Sequence, residues 1–308
     1  MTIPAKPGAA ARSAYLELSG RLRVRCLTAG RAGSPVVLLH GGGIDAASFC
    51  WKYAIGALAD AGHRVFAPDW PGYGDSDHPG IEYTIDYYVE ILPQILDALE
   101  LPQAALAGLS MGGAAALGLA LRHPDRMHGL VLVDADGLAA DVPGGHLGYL
   151  AVHIPGANAA GYAIQRHSRW MVRQALAALV GEPGALSEDT VEEAYDLIRR
   201  PGAGHAFHTT QAGEVGWRRL RTDYTEQLPD LAVPTLIIHG EADPLVPVAW
   251  ARRAQQRIPG ARLVTLPGVG HLSPREAPDA VNTAIRDFLT DIETTRAPEA
   301  DDRTENQR

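Results

Sequence analysis

The chain has 308 residues, 46% of them hydrophobic and 20% charged, an ordinary usage that excludes a collagen-like repeat, a coiled coil or a largely disordered chain. Acidic residues outnumber Lys and Arg by 36 to 27, for a formal charge of −9, and the basic residues form no stripe interleaved with aromatics, which argues against nucleic acid as a partner. The two cysteines, Cys26 and Cys50, are too few for a disulfide framework and lack zinc-ligand spacing.

Residues Met1 to Ala14 include Lys6 and Arg12 but no apolar stretch between a basic start and a cleavage site. No apolar run approaches the roughly 20 residues needed to span a bilayer. The expectation is a cytoplasmic protein with no membrane association.

From Tyr15 to Arg25 apolar and polar residues alternate around Ser19-Gly20, which predicts a two-stranded antiparallel hairpin. Pro35 to His40 then reads as a short apolar strand, Ala46 to Ala61 as a helix, and His63 to Asp69 as a strand. The pattern continues with a helix at Ile85 to Leu99, a strand at Gln103 to Leu109, a helix at Met111 to Arg122 and a strand at Met127 to Asp134. Alternating units with strands apolar on both faces predict an α/β fold, a mostly parallel central sheet with helices on both faces. Between Asp136 and Leu228 no strand-like run occurs, and the stretch reads as an inserted α-helical cap. The alternation resumes with a strand at Thr235 to Gly240, a helix at Val248 to Ile258, a strand at Ala261 to Leu266 and a helix at Pro278 to Leu289. The expected division is a core of residues 1–136 and 229–290, a cap of 137–228, and a disordered tail of 291–308, polar and charged with little apolar surface to bury.

The strongest chemical signal is Gly108-Leu109-Ser110-Met111-Gly112, followed by Gly113, where a strand ends and a helix begins. A serine on a sharp strand-to-helix turn needs small neighbours and projects its hydroxyl clear of the sheet. The first N–H groups of the helix lack intrahelical partners, so the Met111 amide is a candidate oxyanion donor. A serine hydroxyl is a weak nucleophile that needs a base held by a third group. His271, in Gly268-Val-Gly-His-Leu272 after the last strand, is the candidate base, and Asp243, in Glu241-Ala-Asp-Pro-Leu-Val-Pro247, the candidate acid. Glu241, Asp134 and Asp136 remain alternatives for the acid, since all follow strands at the same edge. His40-Gly41-Gly42-Gly43 offers a second oxyanion donor at Gly42, with Gly43 as the alternative, and no Lys-Ser/Thr pair is present to make a phosphate loop. The Gly- and Pro-dense stretch Asp69 to Asp77 reads as a structural loop near the site. In the cap, Tyr149, Tyr162, Trp170, Phe207 and Trp217 are candidates to line an apolar pocket or to pack a core. His205 and His208 are too few ligands for a zinc site, so no metal and no cofactor are expected.

These motifs, spanning Tyr15 to Leu289, resemble the α/β-hydrolase superfamily, in the subgroup with a serine nucleophile and a helical cap after the sixth strand. The resemblance rests on His40-Gly-Gly, Asp69 to Asp77, Gly108 to Gly113, His239-Gly-Glu-Ala-Asp243, and Gly270-His271 with Glu276. It implies a Ser110, Asp243, His271 triad, the amides of Gly42 and Met111 as oxyanion hole, and a site between sheet rim and cap. Members with aspartate at the nucleophile position are dehalogenases or epoxide hydrolases, activities that Ser110 disfavours. Carbon-carbon bond hydrolases of aromatic breakdown share the architecture but typically carry Gly-Pro-Gly after the first glycines and tryptophan after the histidine. This chain has Gly43-Ile44-Asp45 and Leu272 instead, and its Leu109 to Gly113 segment is similar to many carboxylesterases and perhydrolase-like enzymes. The expected function is acyl transfer by a serine hydrolase on a small ester-like substrate, a carboxylic ester, lactone or thioester. The alternatives are hydrolysis of a carbon-carbon bond in dienoic ring-cleavage products, a receptor-like protein with little turnover, or a lyase or transferase using the same serine. A small-molecule substrate is the expected partner, and the sequence leaves the oligomeric state open.

Overall fold

A computed structural model describes residues 10–142, 145–154 and 156–305. Eight strands form one sheet: β1 (Arg12–Glu17), β2 (Arg23–Ala29), β3 (Pro35–Leu39), β4 (Arg64–Pro68), β5 (Ala104–Leu109), β6 (Met127–Val133), β7 (Thr235–Gly240) and β8 (Arg262–Leu266). Their spatial order is β1-β2-β4-β3-β5-β6-β7-β8. β1 and β2 pair antiparallel, as does β2 with β4, and every later pair is parallel. β5 and β6 are buried along their whole lengths, because helices cover both faces and leave no solvent side for polar residues.

One apolar layer packs the helices Ile85–Ala98, Met111–Arg122 and Val248–Arg257 against the sheet, and the other packs Ala54–Asp60 and the last helix on the opposite face. The stretch expected as one helix from Ala46 to Ala61 is two, Ala47–Cys50 and Ala54–Asp60, and the break follows Trp51, which is fully buried. Among the described residues, 137–228 contain five α-helices, Gly145–His153, Ala157–Gln165, Arg169–Ala177, Glu188–Ile198 and His205–Glu214, and an isolated bridge between Val215 and Leu220. Ser168 and Ser187 cap the third and fourth of these by accepting the Met171 and Thr190 N–H groups, worth ~1 kcal/mol each. Val172, Leu176, Val191 and Ala194 of those two helices share a core layer with Ile238, Leu272 and Ile285, so both helices pack into the same core as the sheet.

The helix expected from Pro278 to Leu289 continues beyond Leu289. The last helix runs Pro278–Glu305, and Ile292 is buried, its side chain, with that of Phe288, filling the space over Gly129 of β6. Local i to i−4 hydrogen bonds carry a helix beyond the point where its buried face ends, a contribution that counting apolar residues overlooks. Residues 306–308 lie outside the described residues. Among the described residues no helix is long and apolar enough to cross a membrane.

The chain enters the sheet interior at β3, moves to β4 on one side and then to β5 on the other, which makes the carboxyl ends of β3 and β5 a topological switch point. Leu39 lies opposite Gly108, Leu109 opposite Val133, Val133 opposite Ile238 and Gly240 opposite Leu266. The loops after β3, β5, β6, β7 and β8 therefore open at one rim.

Candidate active site

Ser110 follows β5 with φ 52° and ψ −118°, a conformation that is strained for any residue carrying a Cβ. The turn closes only because its flanks are glycine. A Cβ at Gly108 would stand 2.3 Å from the Gly112 carbonyl oxygen, and one at Gly112 would stand 2.5 Å from the carbonyl oxygens of Leu39 and His40. Among the described residues no acceptor engages the N–H of Met111 or of Gly42, so both amides are free to point at a substrate oxygen. The Gly41 amide is committed to Asp45 Oδ2 at 2.8 Å. Gly43 takes φ 81°, while Gly42 faces the Phe207 ring, which a Cβ there would meet at 2.8 Å.

His40 anchors this loop from below. It is fully buried, and burial lowers its pKa to about 4, which keeps the ring neutral. Its Nδ1 donates to the Gly41 carbonyl at 2.8 Å and its Nε2 accepts the Trp70 N–H at 3.0 Å. The Asp69 to Asp77 loop is held as a structural element, since Asp69 accepts from the Ala47 and Asp75 amides and pairs with Arg25 at 3.2 Å.

Asp243 and His271 meet as the sequence suggested: His271 Nδ1 lies 2.8 Å from Asp243 Oδ2, and Asp243 Oδ1 accepts the Leu245 and Val246 amides. Glu241 pairs instead with Arg252 at the surface. Asp134, with φ 44°, accepts the Gly240 amide at 2.8 Å and the Ser273 hydroxyl. Burial raises its pKa to about 7 against the lowering influence of His271. Asp134, His239 and Asp243 lie with their ligand-type atoms within 4.8 Å of one another, and His239 Nε2 donates to the Val246 carbonyl. Burial lowers the His271 pKa, but the Asp243 hydrogen bond and the charges of Asp243, Asp134 and Asp136 more than reverse it, to about 9.

Two features of this rim escaped the residue pattern. Glu276 is a clamp: its carboxylate accepts the amides of Gly181, Gly270 and Leu272, at 2.8, 3.0 and 3.1 Å, fixing the loop on both sides of His271. The motif spacing flagged Glu276 but not this task, which depends on the cap segment at Gly181 lying against the loop. The other feature is the Ser110 hydroxyl, which donates to Asp136 Oδ2 at 3.2 Å, while among the described residues none joins it to His271.

The candidate cap aromatics divide. Phe207 covers Gly42, and Tyr162 lines a cleft with Ile44, Asp45, Tyr73, Ile198 and Arg200. Tyr149 and Trp217 pack on each other, centroids 5.2 Å apart, and Trp170 is 65% exposed, so Trp170 does not line the pocket. His205 Nε2 contacts the Ile81 carbonyl at 3.1 Å, a structural bond between cap and core.

A sheet of this order, with a serine raised on a strained turn at its switch point and a histidine-aspartate pair across the rim, defines a class, the serine-type hydrolases. The chain belongs to the family described as the alpha/beta hydrolase fold, which matches residues 34–278. It is 31% identical over 261 residues, 84% of this chain and 90% of the relative, to the 2-hydroxy-6-oxo-2,4-heptadienoate hydrolase of Pseudomonas putida. Among solved structures it is similar to a meta-cleavage product hydrolase from Pseudomonas fluorescens complexed with acetates, with TM-score 0.75, 28% identity, and 90% and 97% of the two chains covered. It is also similar to a thermophilic esterase from Thermogutta terrifontis, with TM-score 0.74, 26% identity, and 92% and 99% covered.

Proposed function

We propose that this hydrolase cleaves a carbon-carbon bond next to a ketone in a 2-hydroxy-6-oxo-2,4-dienoate, with Ser110 as nucleophile, His271 as base, Asp243 as its orienting acid, and the Gly42 and Met111 amides as oxyanion hole. The observation that carries this reading is the likeness to the heptadienoate hydrolase over nine-tenths of that relative, cap included. It displaces simple ester hydrolysis as the leading expectation.

Ser110 Oγ would attack the ketone carbon and pass its proton to His271, while the oxyanion accepts the two amides. The dienol must first ketonise, its 2-hydroxyl proton moving to C5, so that the bond to be broken joins the ketone to a saturated carbon. As the tetrahedral centre then collapses, that bond breaks, its electron pair spreads through the adjacent double bond onto the 2-oxo oxygen, and the proton from His271 restores the 2-hydroxyl group. Water, deprotonated by His271, then attacks the acyl ester of Ser110, releasing the carboxylic acid and returning the proton to the serine oxygen.

The test is incubation with 2-hydroxy-6-oxo-2,4-heptadienoate, with products separated by chromatography. Acetate and 2-hydroxypenta-2,4-dienoate in equal amounts from the wild type, and none from Ser110→Ala, are expected. Intact substrate beside rapid turnover of p-nitrophenyl esters would replace this reading with the esterase one. That second reading is favoured by Leu272 and Gly43-Ile44-Asp45 and by the likeness to the thermophilic esterase.

A further inference from the structure

We propose that Asp136 is a further catalytic residue of this site: it holds the Ser110 hydroxyl in the resting enzyme and limits, through its charge, how readily His271 becomes the free base that takes it over. The inference rests on the roles proposed for Ser110 and His271.

Five other carboxylates described at the same rim are each satisfied by groups that the fold itself supplies, Glu276 by the three amides given above. Asp45 takes the Gly41 and Ala46 amides, Asp69 two amides and an arginine, Asp134 an amide and the Ser273 hydroxyl, and Asp243 two amides and His271. Among the described residues the Asp136 carboxylate has one hydrogen-bond partner, the reacting oxygen of Ser110 at 3.2 Å. It is less completely buried than Asp134.

Its place is fixed from the backbone. The Asp136 N–H donates to the Ser110 carbonyl at 3.2 Å, Ser110 N–H donates to Val133 at 2.9 Å, and Tyr224 N–H ties down Gly137, φ 84°. The serine and this carboxylate are thus joined at main chain and side chain, so the backbone holds the carboxylate within reach of the nucleophile. A hydroxyl proton donated to Asp136 is unavailable to His271, so attack requires a handover.

The charged groups facing Asp136 come from three directions: His271 after β8, Asp243 after β7, and Glu214 at the end of the cap helix His205–Glu214. His271 is the cation among them, and it also faces Asp134 and Asp243, with His239 behind them. An aspartate beside His271 favours the imidazolium, which cannot accept a proton from serine. Burial and the two acidic neighbours push the Asp136 pKa up, while His271 and the Ser110 hydroxyl pull it down.

The experiment reads serine reactivity without any assumed substrate. Wild type, Asp136→Asn and Asp136→Ala are labelled with a fluorophosphonate from pH 5 to 10, and the rate constants are taken by mass spectrometry. In this reaction the Ser110 oxygen forms a bond to phosphorus, fluoride leaves with the P–F electron pair, and the hydroxyl proton passes to His271. Both variants should show the midpoint of the rate profile moved down by about one pH unit, hence about tenfold faster labelling at pH 7. Asp136→Ala, which also removes the acceptor, should be at least as fast as Asp136→Asn, which keeps an amide oxygen there. Circular dichroism checks folding, and the near-isosteric Asn variant carries the test if Ala unfolds. A wild-type midpoint in the folded variants overturns the proposal, as does labelling that survives in Ser110→Ala. Failure of the carbon-carbon reading is separate: the dienoate would stay intact while the labelling profiles still shift.

Discussion

Replacing Ser110 by glycine should give a more stable protein than replacing it by alanine, the reverse of the usual order. Both changes remove the hydroxyl and its bond to Asp136, so their difference isolates the backbone. At φ 52° and ψ −118° the chain has the mirror image of an ordinary extended conformation, open to glycine and strained by about 1–3 kcal/mol for a residue with a Cβ. Glycine gives back about 0.5–1 kcal/mol through the freedom of the unfolded chain. The net preference is then about 0.5–2 kcal/mol for glycine, on the order of 2–4 °C of melting temperature per kcal/mol in a large domain. Calorimetric melts of the two inactive variants at pH 7 make the comparison. An alanine variant as stable as the glycine one, or more so, would show that the elbow stores no strain and that Gly108 and Gly112 are retained for another reason.

Three further outcomes follow from the same geometry. Gly112→Ala should destabilise the protein by about 1–3 kcal/mol or more and abolish turnover, because its Cβ would stand 2.5 Å from two backbone oxygens with no flexible side chain to give way; a thermal melt and an ester assay check it. Glu276→Gln keeps one oxygen where three amides now bond, so at least one buried N–H is orphaned at a cost of about 1–3 kcal/mol, and kcat should fall more than KM rises. His271, with its folded pKa raised to about 9 from an unfolded value near ~6.5, stabilises the fold fully below pH ~6.5. That contribution is lost as pH rises through 9 and is worth on the order of 3 kcal/mol. The melting-temperature gap between wild type and His271→Gln should therefore shrink between pH 6 and 9.5, while kcat/KM of the wild type climbs over the same range as the base loses its proton. A gap independent of pH would refute the assignment of that pKa.

The apolar runs were enough to place β3 to β8 within a residue or two, and β5 and β6, buried on both faces, have no polar positions to confuse the pattern. The hairpin read at Tyr15 to Arg25 is longer in the structure, from Arg12 to Ala29, since β1 is mostly exposed and carries little apolar signal. The serine turn was equally plain, because Gly108 and Gly112 are demanded by backbone contacts within one short segment. Asp243 could be weighed above Glu241, Asp134 and Asp136 by chain order, but only the level carboxyl ends of β6, β7 and β8 show which carboxylate reaches His271. Helix boundaries at Trp51 and beyond Leu289 were missed because burial of one tryptophan and local helical hydrogen bonding leave no periodic signature.

By itself, then, the sequence determined what is local or periodic: the sheet class, the elbow, the helical nature of the cap, and the residue types able to do acyl chemistry. The tertiary structure alone decided what depends on distances between segments far apart in the chain. It placed the Glu276 clamp across the His271 loop, Phe207 over Gly42, Trp170 in solvent, and Asp136 against the nucleophile. Side-chain contacts of this kind are set by how loops from separate strands pack at the rim, and no spacing along a single chain encodes that packing.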